Sequence, residues 1–355
     1  MTQNGYTCAH KFRMILIKRT AEGVNSGGRA ENGMTQRQVA IVFGGAGFIG
    51  SHLLRRLMQS PTTRPISIDI APPRLPVPGV DYRQGDVRDL SALTVEGGVE
   101  TIFNLAAVHT TPGHPAHEYY ETNIHGALEV CAFARRQGTK RIVFTSSISV
   151  YGPGEETRSE ASRRQPDSAY GRSKAMAEDI HQVWLQEAAE RQLVICRPAV
   201  IFGHGEGGNF TRLARLLRRG LFVYPGRRDT IKACFYVEDL VETLLHAASL
   251  DERLLLFNGC YPDRYTLEQI VETFRADHFP HARTMTVPRP LVLGVASALR
   301  PMAGAGIGIH PDRVLKLVRS TDVVPRWLES RGLVARGRLP SALQRWKDES
   351  AGAFD

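Results

Sequence analysis

From residue 38 onward, short uncharged runs rich in β-branched residues alternate with longer amphipathic stretches. Residues 38–43, 65–70, 101–107, 141–146 and 193–196 read as strands. Between them, 51–58 and 118–137 carry apolar positions at helical spacing, the second ended by Gly138. A third helix begins at Asp167-Ser168, whose short polar side chains suit an N-cap, and runs to about residue 191. Strands without charge on either face, alternating with helices, predict a parallel sheet covered on both sides, a doubly wound α/β fold. After about residue 200 the pattern loosens into Gly- and Pro-rich turns and isolated helices. That predicts a sheet domain over 38–200 and a smaller substrate-binding part over 201–355, with about 233–257 packing back on the sheet domain.

Residues 1–37 show no apolar periodicity and read as a flexible N-terminal extension. The run Met14-Ile15-Leu16-Ile17 is too short for a signal-peptide core. The apolar stretch 291–299 stops at Arg300-Pro301, short of the roughly twenty residues that span a bilayer, so no membrane insertion is expected. Cys8, Cys131, Cys196, Cys234 and Cys260 are odd in number and widely spread. They argue against a disulfide framework or a structural zinc site and fit a reducing cytoplasm.

The formal charge of +9 changes meaning once it is located. Residues 1–37 hold six basic and two acidic side chains, 38–196 hold 16 and 17, 197–232 hold eight and two, and 233–355 hold 15 and 15. The excess outside the extension therefore falls in one 36-residue window. A nucleic-acid protein spreads its basic residues differently, and a local anionic ligand is the better expectation.

Chemistry enters at Gly44-Gly45-Ala46-Gly47-Phe48-Ile49-Gly50, which follows a strand and opens a helix. Gly44, Gly47 and Gly50 leave no Cβ against a pyrophosphate, and the helix start offers free N–H groups, as in a Rossmann-type dinucleotide fold. Asp69 lies 19 residues beyond Gly50 at the end of the next strand. A carboxylate there accepts from the adenosine ribose hydroxyls and repels a 2′-phosphate, which favours NAD; the nearby Arg74 leaves NADP open. Tyr170 and Lys174, at i and i+4, share a helix face, so the ammonium can stabilise a phenolate. Ser147, just past the strand 141–146, can hydrogen-bond a substrate oxygen shared with the tyrosine.

Taken in order, these motifs, with Gly85-Asp86-Val87, Asn104-Leu105-Ala106-Ala107, Asn123 and Arg197-Pro198, resemble the extended short-chain dehydrogenase/reductase family, the nucleotide-sugar epimerases and dehydratases. The resemblance runs from about residue 38 to at least Leu240. It implies a catalytic set of Ser147, Tyr170 and Lys174. It also implies NAD held along Gly44, Gly47, Phe48, Ile49, Asp69, Asp86, Val87, Leu105, Ala106, Ala107, Asn123, Tyr170, Lys174 and Pro198. Phe43 departs from the threonine usual before the glycine turn and removes one hydroxyl there.

In the family's dehydratases and decarboxylases, acids follow the catalytic hydroxyl; here Ile148 and Ser149 stand in those places and cannot carry a proton for the reaction. What remains is epimerisation at carbon 4 of a nucleotide diphosphate sugar, above all a UDP-sugar. Net reduction of a 4-keto sugar and hydroxysteroid-type oxidation stay open, as does a cofactor-sensing regulator without chemistry. On the substrate side the resemblance points to Asn209 and Arg212, to Lys232 where an arginine commonly meets the diphosphate, and to Arg313. Lysine there supplies charge without the bidentate fork. His109 is expected to line the active-site mouth. Arg212, Arg215 and Arg219 share a helix face, and for Arg215, Arg218 and Arg219 a solvated face is at least as strong an expectation. No metal and no nucleic acid are expected, and the resemblance implies a homodimer through the helices 118–137 and 168–191.

Overall fold

The computed structural model describes residues 37–110, 113–288, 290, 291, 294 and 319–355; residues 1–36, Arg313 and most of the apolar stretch 291–299 lie outside them. The first half contains β1 (Gln38–Phe43), α1 (Phe48–Leu57), β2 (Thr63–Asp69), β3 (Asp81–Gln84) and β4 (Val99–Asn104). Next comes α2 (Ala116–Tyr120), which passes through a π turn at Glu121–His125 into α3 (Gly126–Gln137). Then follow β5 (Arg141–Thr145), β6 (Gly154–Arg158), α4 (Ala169–Gln186), β7 (Gln192–Pro198) and β8 (Val200–Phe202). The remainder carries α5 (Asn209–Arg218), β9 (Leu221–Pro225), β10 (Cys234–Tyr236), α6 (Val237–Ser249) and β11 (Leu254–Gly259). It closes with α7 (Leu267–Asp277), β12 (Arg283–Val287), β13 (Thr321–Val323), α8 (Arg326–Ser330) and α9 (Leu339–Glu349).

Seven strands pair in the order β11-β7-β5-β4-β1-β2-β3, and every pair is parallel. The two-residue period of a strand divides the core. Val39, Ile41 and Phe43 face α3 and α4, packing with Val130, Phe133, Ala177 and Trp184. Ala40 and Val42 face the other way, toward Leu53, Leu54 and Leu57 of α1 and Leu240, Val241 and Leu244 of α6. That second layer runs on into an aromatic cluster of Phe202, Phe210, Phe274, Trp346 and Phe354. The sheet is thus doubly wound, as the alternation predicts.

The departures are local and have physical causes. β3 is a polar edge strand, Asp81-Tyr82-Arg83-Gln84, with no apolar alternation to announce it. β4 stops at Asn104, and Leu105–Ala107 turn out of the sheet. α1 starts at Phe48, three residues ahead of the expected helix, because the glycine turn is tight enough to begin it there. α4 ends at Gln186, before the expected limit. β11 is the outermost strand of the main sheet, beside β7.

Candidate active site

Because all seven strands run parallel, their carboxyl ends lie along one edge, and the chemistry-bearing residues follow those ends. Gly44 follows β1, Asp69 closes β2, Asp86 lies just past β3, Leu105–Ala107 past β4, Ser147 past β5, and Pro198 closes β7. The strand order reverses between β1 and β4, and in open parallel sheets that switch point is where a dinucleotide crevice forms. Here the two loops touch: a Cβ on Gly44, whose φ is +80°, would stand 2.7 Å from the Ala106 backbone nitrogen.

The residues fit a dinucleotide. Gly47 caps α1 without a side-chain hydrogen bond and is exposed, so no cap side chain occupies the first-turn N–H groups of Phe48 and Ile49. Asp69 does more than end a strand. Its Oδ2 accepts from Ala46 N at 3.0 Å and its Oδ1 from Ala71 N at 3.0 Å, so the carboxylate fixes the glycine turn. Each oxygen retains a lone pair that a ribose hydroxyl could use. Asp86 accepts from the Arg88 backbone N–H at 2.9 Å and from its guanidinium at 2.6 Å, which holds its carboxyl below the usual range. The Val87 side chain packs in the core, where a Cβ on Gly126 would approach it to 2.9 Å.

Asn123 sits in the π turn and is buried. Its Oδ1 accepts from Val108 N at 3.0 Å, while its Nδ2 donates to Val108 O at 3.2 Å and to Ser173 Oγ at 2.8 Å. It therefore ties the loop after β4 to α4, and its side chain is fully engaged in doing so. The extra residue of a π turn is what re-aims it.

Ser168 caps α4 by accepting from Gly171 N at 3.0 Å, which fixes the start of the helix carrying Tyr170 and Lys174. Ser147 Oγ accepts from Ser149 N at 3.1 Å and donates to Ser149 Oγ at 3.2 Å, closing a tight turn at Ile148–Tyr151. Burial pushes the Tyr170 phenol up to about 12, and the Ser147 hydroxyl works against that rise. Burial also brings the Lys174 ammonium down to about 7, opposed by Glu178. Lys174 is 2 % exposed, with Nζ 4.6 Å from the centre of the Phe144 ring. Burial thus favours the neutral form of both groups, and additional positive charge at the site favours the phenolate.

Behind Lys174 lies a buried network that the motif spacing alone does not announce. Glu178, one helical turn on, takes a bidentate pair from Arg197, Nε to Oε1 at 2.8 Å and Nη2 to Oε2 at 2.7 Å. Arg164 Nη1 adds a third donor at 3.2 Å. Arg197 Nη1 donates to the Tyr151 hydroxyl at 2.9 Å, which donates to Asn258 Oδ1 at 2.8 Å. The Arg197-Pro198 motif and an acid four residues after Lys174 were the available signals; their pairing needed the fold.

The residues expected on the substrate side differ in setting. His109 reaches the surface, yet its ring is desolvated by its surroundings and opposed by the Lys174 charge, so its pKa falls below 6.5. Asn209 and Arg212 are exposed on the first turn of α5. Lys232 Nζ donates to Arg319 O at 2.6 Å, and burial lowers its pKa to about 8. Among the described residues no group of three His, Cys, Asp or Glu side chains is arranged to hold a metal.

A parallel sheet with a glycine turn at its switch point, and a Ser, Tyr and Lys set beside it, defines a nucleotide-cofactor enzyme of the short-chain dehydrogenase/reductase class. Residues 40–255 match the NAD dependent epimerase/dehydratase family, and the chain belongs to it, with NAD as the family's cofactor. It is 29 % identical over 321 residues to an N-acetyl-alpha-D-glucosaminyl-diphospho-ditrans,octacis-undecaprenol 4-epimerase of Escherichia coli O157:H7, covering 86 % of this chain and 93 % of that one. It is 34 % identical over 155 residues to a UDP-glucose 4-epimerase of Neisseria gonorrhoeae, covering 39 % and 46 %. Among solved structures, MoeE5 in complex with UDP-glucuronic acid and NAD superposes with a TM-score of 0.69 at 25 % identity, covering 88 % of this chain and 99 % of that one.

Proposed function

We propose that this chain is a 4-epimerase of a sugar carried on a diphosphate, a UDP-sugar first. The observation that carries the reading is local: Ser147 is followed by Ile148 and Ser149 beside the buried Tyr170, so neither of these positions offers an acid for the second proton transfer of a dehydration. Bound NAD supplies the hydride acceptor and donor. Tyr170 as phenolate takes the proton of the 4-hydroxyl and later returns it. Ser147 hydrogen-bonds the same oxygen, and Lys174 stabilises the phenolate from the helix turn below. Gly44, Gly47, Phe48, Ile49, Asp69, Leu105, Ala106, Ala107 and Pro198 would hold the cofactor, with Asp86 toward the adenine. Asn123 and Val87 would shape the site from behind. His109, Asn209 and Arg212 would meet the substrate, and Lys232 and Arg313 complete the assignment.

A second carrier is favoured by one observation. The relative matched over 93 % of its length is named for a sugar on undecaprenyl diphosphate, whereas the UDP-glucose epimerase is matched over 46 %. Both readings share the chemistry at carbon 4. The enzyme would work as a homodimer through α3 and α4, where Leu128, Met176 and Val183 are exposed. We place it in the cytoplasm, consistent with four described cysteines that are free and buried. The test is incubation of the holoenzyme with UDP-, dTDP- and GDP-sugars and with a polyprenyl-diphosphate sugar, read by NMR of the sugar ring. Tyr170→Phe should lower turnover about a thousand-fold with NAD still bound; full turnover by that variant would sink the mechanism.

A further inference from the structure

The small β9–β12 sheet has one face in the core and one in solvent. Phe222 and Tyr224 point inward. Leu221 and Val223 point outward, and in the parallel register they stand beside Arg283 and Met285. Leu221, Val223 and Met285 are 45 %, 37 % and 47 % exposed. Scattered exposed apolar residues need no explanation; three on one face, in register across two strands, are a patch.

A cationic border adjoins it. Gly220 alone separates Arg219, which caps α5, from Leu221, and Arg283 N donates to Gly220 O at 2.8 Å. Arg219, Leu221 and Arg283 therefore meet at one corner, with Arg215 one helical turn back. None of these three arginines has an acidic partner among the described residues. Other bases of the same stretch do have partners: Arg218 donates to the Gly352 and Ala353 carbonyls, Arg227 pairs with Asp229, and Arg228 with Glu268.

We propose that the outer face of β9–β12, with Arg215, Arg219 and Arg283, is a docking surface for an anionic lipid bilayer. An apolar centre bordered by arginines matches the boundary between acyl chains and phosphate headgroups. A second copy of the chain is a poorer occupant, because a two-fold contact through this face would set its arginines against each other. Association through such a face lies at the headgroup level and is salt-sensitive. The surface does not depend on which sugar carrier the enzyme takes. It would bring an enzyme acting on a polyprenyl-diphosphate sugar to the level where that substrate resides.

The experiment is flotation of the full-length holoenzyme with vesicles of equal parts phosphatidylethanolamine and phosphatidylglycerol, against phosphatidylcholine vesicles, at low and high salt. Binding is expected on the anionic vesicles only and should weaken with salt. Arg215→Ala, Arg219→Ala and Arg283→Ala together should lower the partition coefficient about a hundred-fold, at roughly a fivefold loss for each surface arginine. Leu221→Thr with Met285→Gln should weaken it independently, while turnover of a water-soluble UDP-sugar, where present, stays as in the parent. The proposal is overturned if anionic vesicles are not bound, or if binding survives both sets of changes, which would assign it to the segment 292–318. It is equally overturned if the apolar changes abolish a concentration-dependent dimer in sedimentation, which would make the face a contact between copies. Vesicle binding is read without substrate, so its failure leaves the epimerase reading standing, and the reverse holds as well.

Discussion

Arg197 and the arginines of α5 come from one short basic stretch of sequence, yet the fold gives them opposite surroundings. Arg197 is 5 % exposed and its guanidinium is matched donor for acceptor by Glu178 and Tyr151. Arg212, Arg215 and Arg219 project into solvent with no acid paired to them among the described residues. Inside, a charge is tolerated only because a partner is fixed to it, so the pair is a fault line if either member is lost. Outside, a charge contributes little to folding, and its persistence as an unpartnered cluster points to an external ligand. Net charge along the chain registers both kinds alike.

The largest test of this contrast is to break the inner pair. Glu178→Ala should destabilise the protein by about 4 kcal/mol in urea unfolding, because Arg197 is left buried without an anion. Adding Arg197→Met to it should recover much of the loss. A pH test reaches the same layer. His181 is fully buried, donates from Nδ1 to Ala177 O at 2.7 Å and stacks on Phe144; burial lowers its pKa to about 4. The unfolded chain takes up its proton near 6.5 and the folded one only near 4. Stability is therefore complete above 6.5 and falls by about 3 kcal/mol as the pH drops through that window. Unfolding free energies should show that slope, and His181→Gln should flatten it. Lys174 acts in a separate window: between 7 and 10.5 the unfolded chain binds the extra proton, so stability rises with pH there.

At the cofactor turn, Gly44→Ala should cost about 2 kcal/mol and release NAD during purification, since the new Cβ meets the Ala106 backbone at a positive φ. The smallest effect belongs outside. Arg215→Ala and Arg219→Ala should each leave stability within about 0.5 kcal/mol. A larger change would mean that the outer arginines are structural after all.

The strand-turn-helix at 38–57, the Ser168 cap and the Gly138 stop, with its φ of +63°, were legible in the sequence because each is fixed by local chemistry. So were the residues gathered at the sheet edge, since parallel strands bring their ends together without further instruction. β3 was not legible, because an edge strand beside β2 needs no apolar alternation and Asp81–Gln84 has none. The π turn was not, because one surplus residue in a helix leaves apolar spacing nearly intact. The pairing of Glu178 with Arg197 joins residues 19 apart on a helix and a strand, and periodicity carries no information about such contacts.

The contact of Asp69 with the glycine turn, beside the ribose contact proposed for it, bears on how this enzyme could be redesigned. Exchanging the strand-end acid for a base is the obvious way to invite a 2′-phosphate and change the coenzyme. In this chain the same carboxylate anchors Ala46 within the glycine turn. Its removal would loosen the glycine turn along with any change in the proposed ribose preference, so a coenzyme switch here needs a replacement anchor designed along with it.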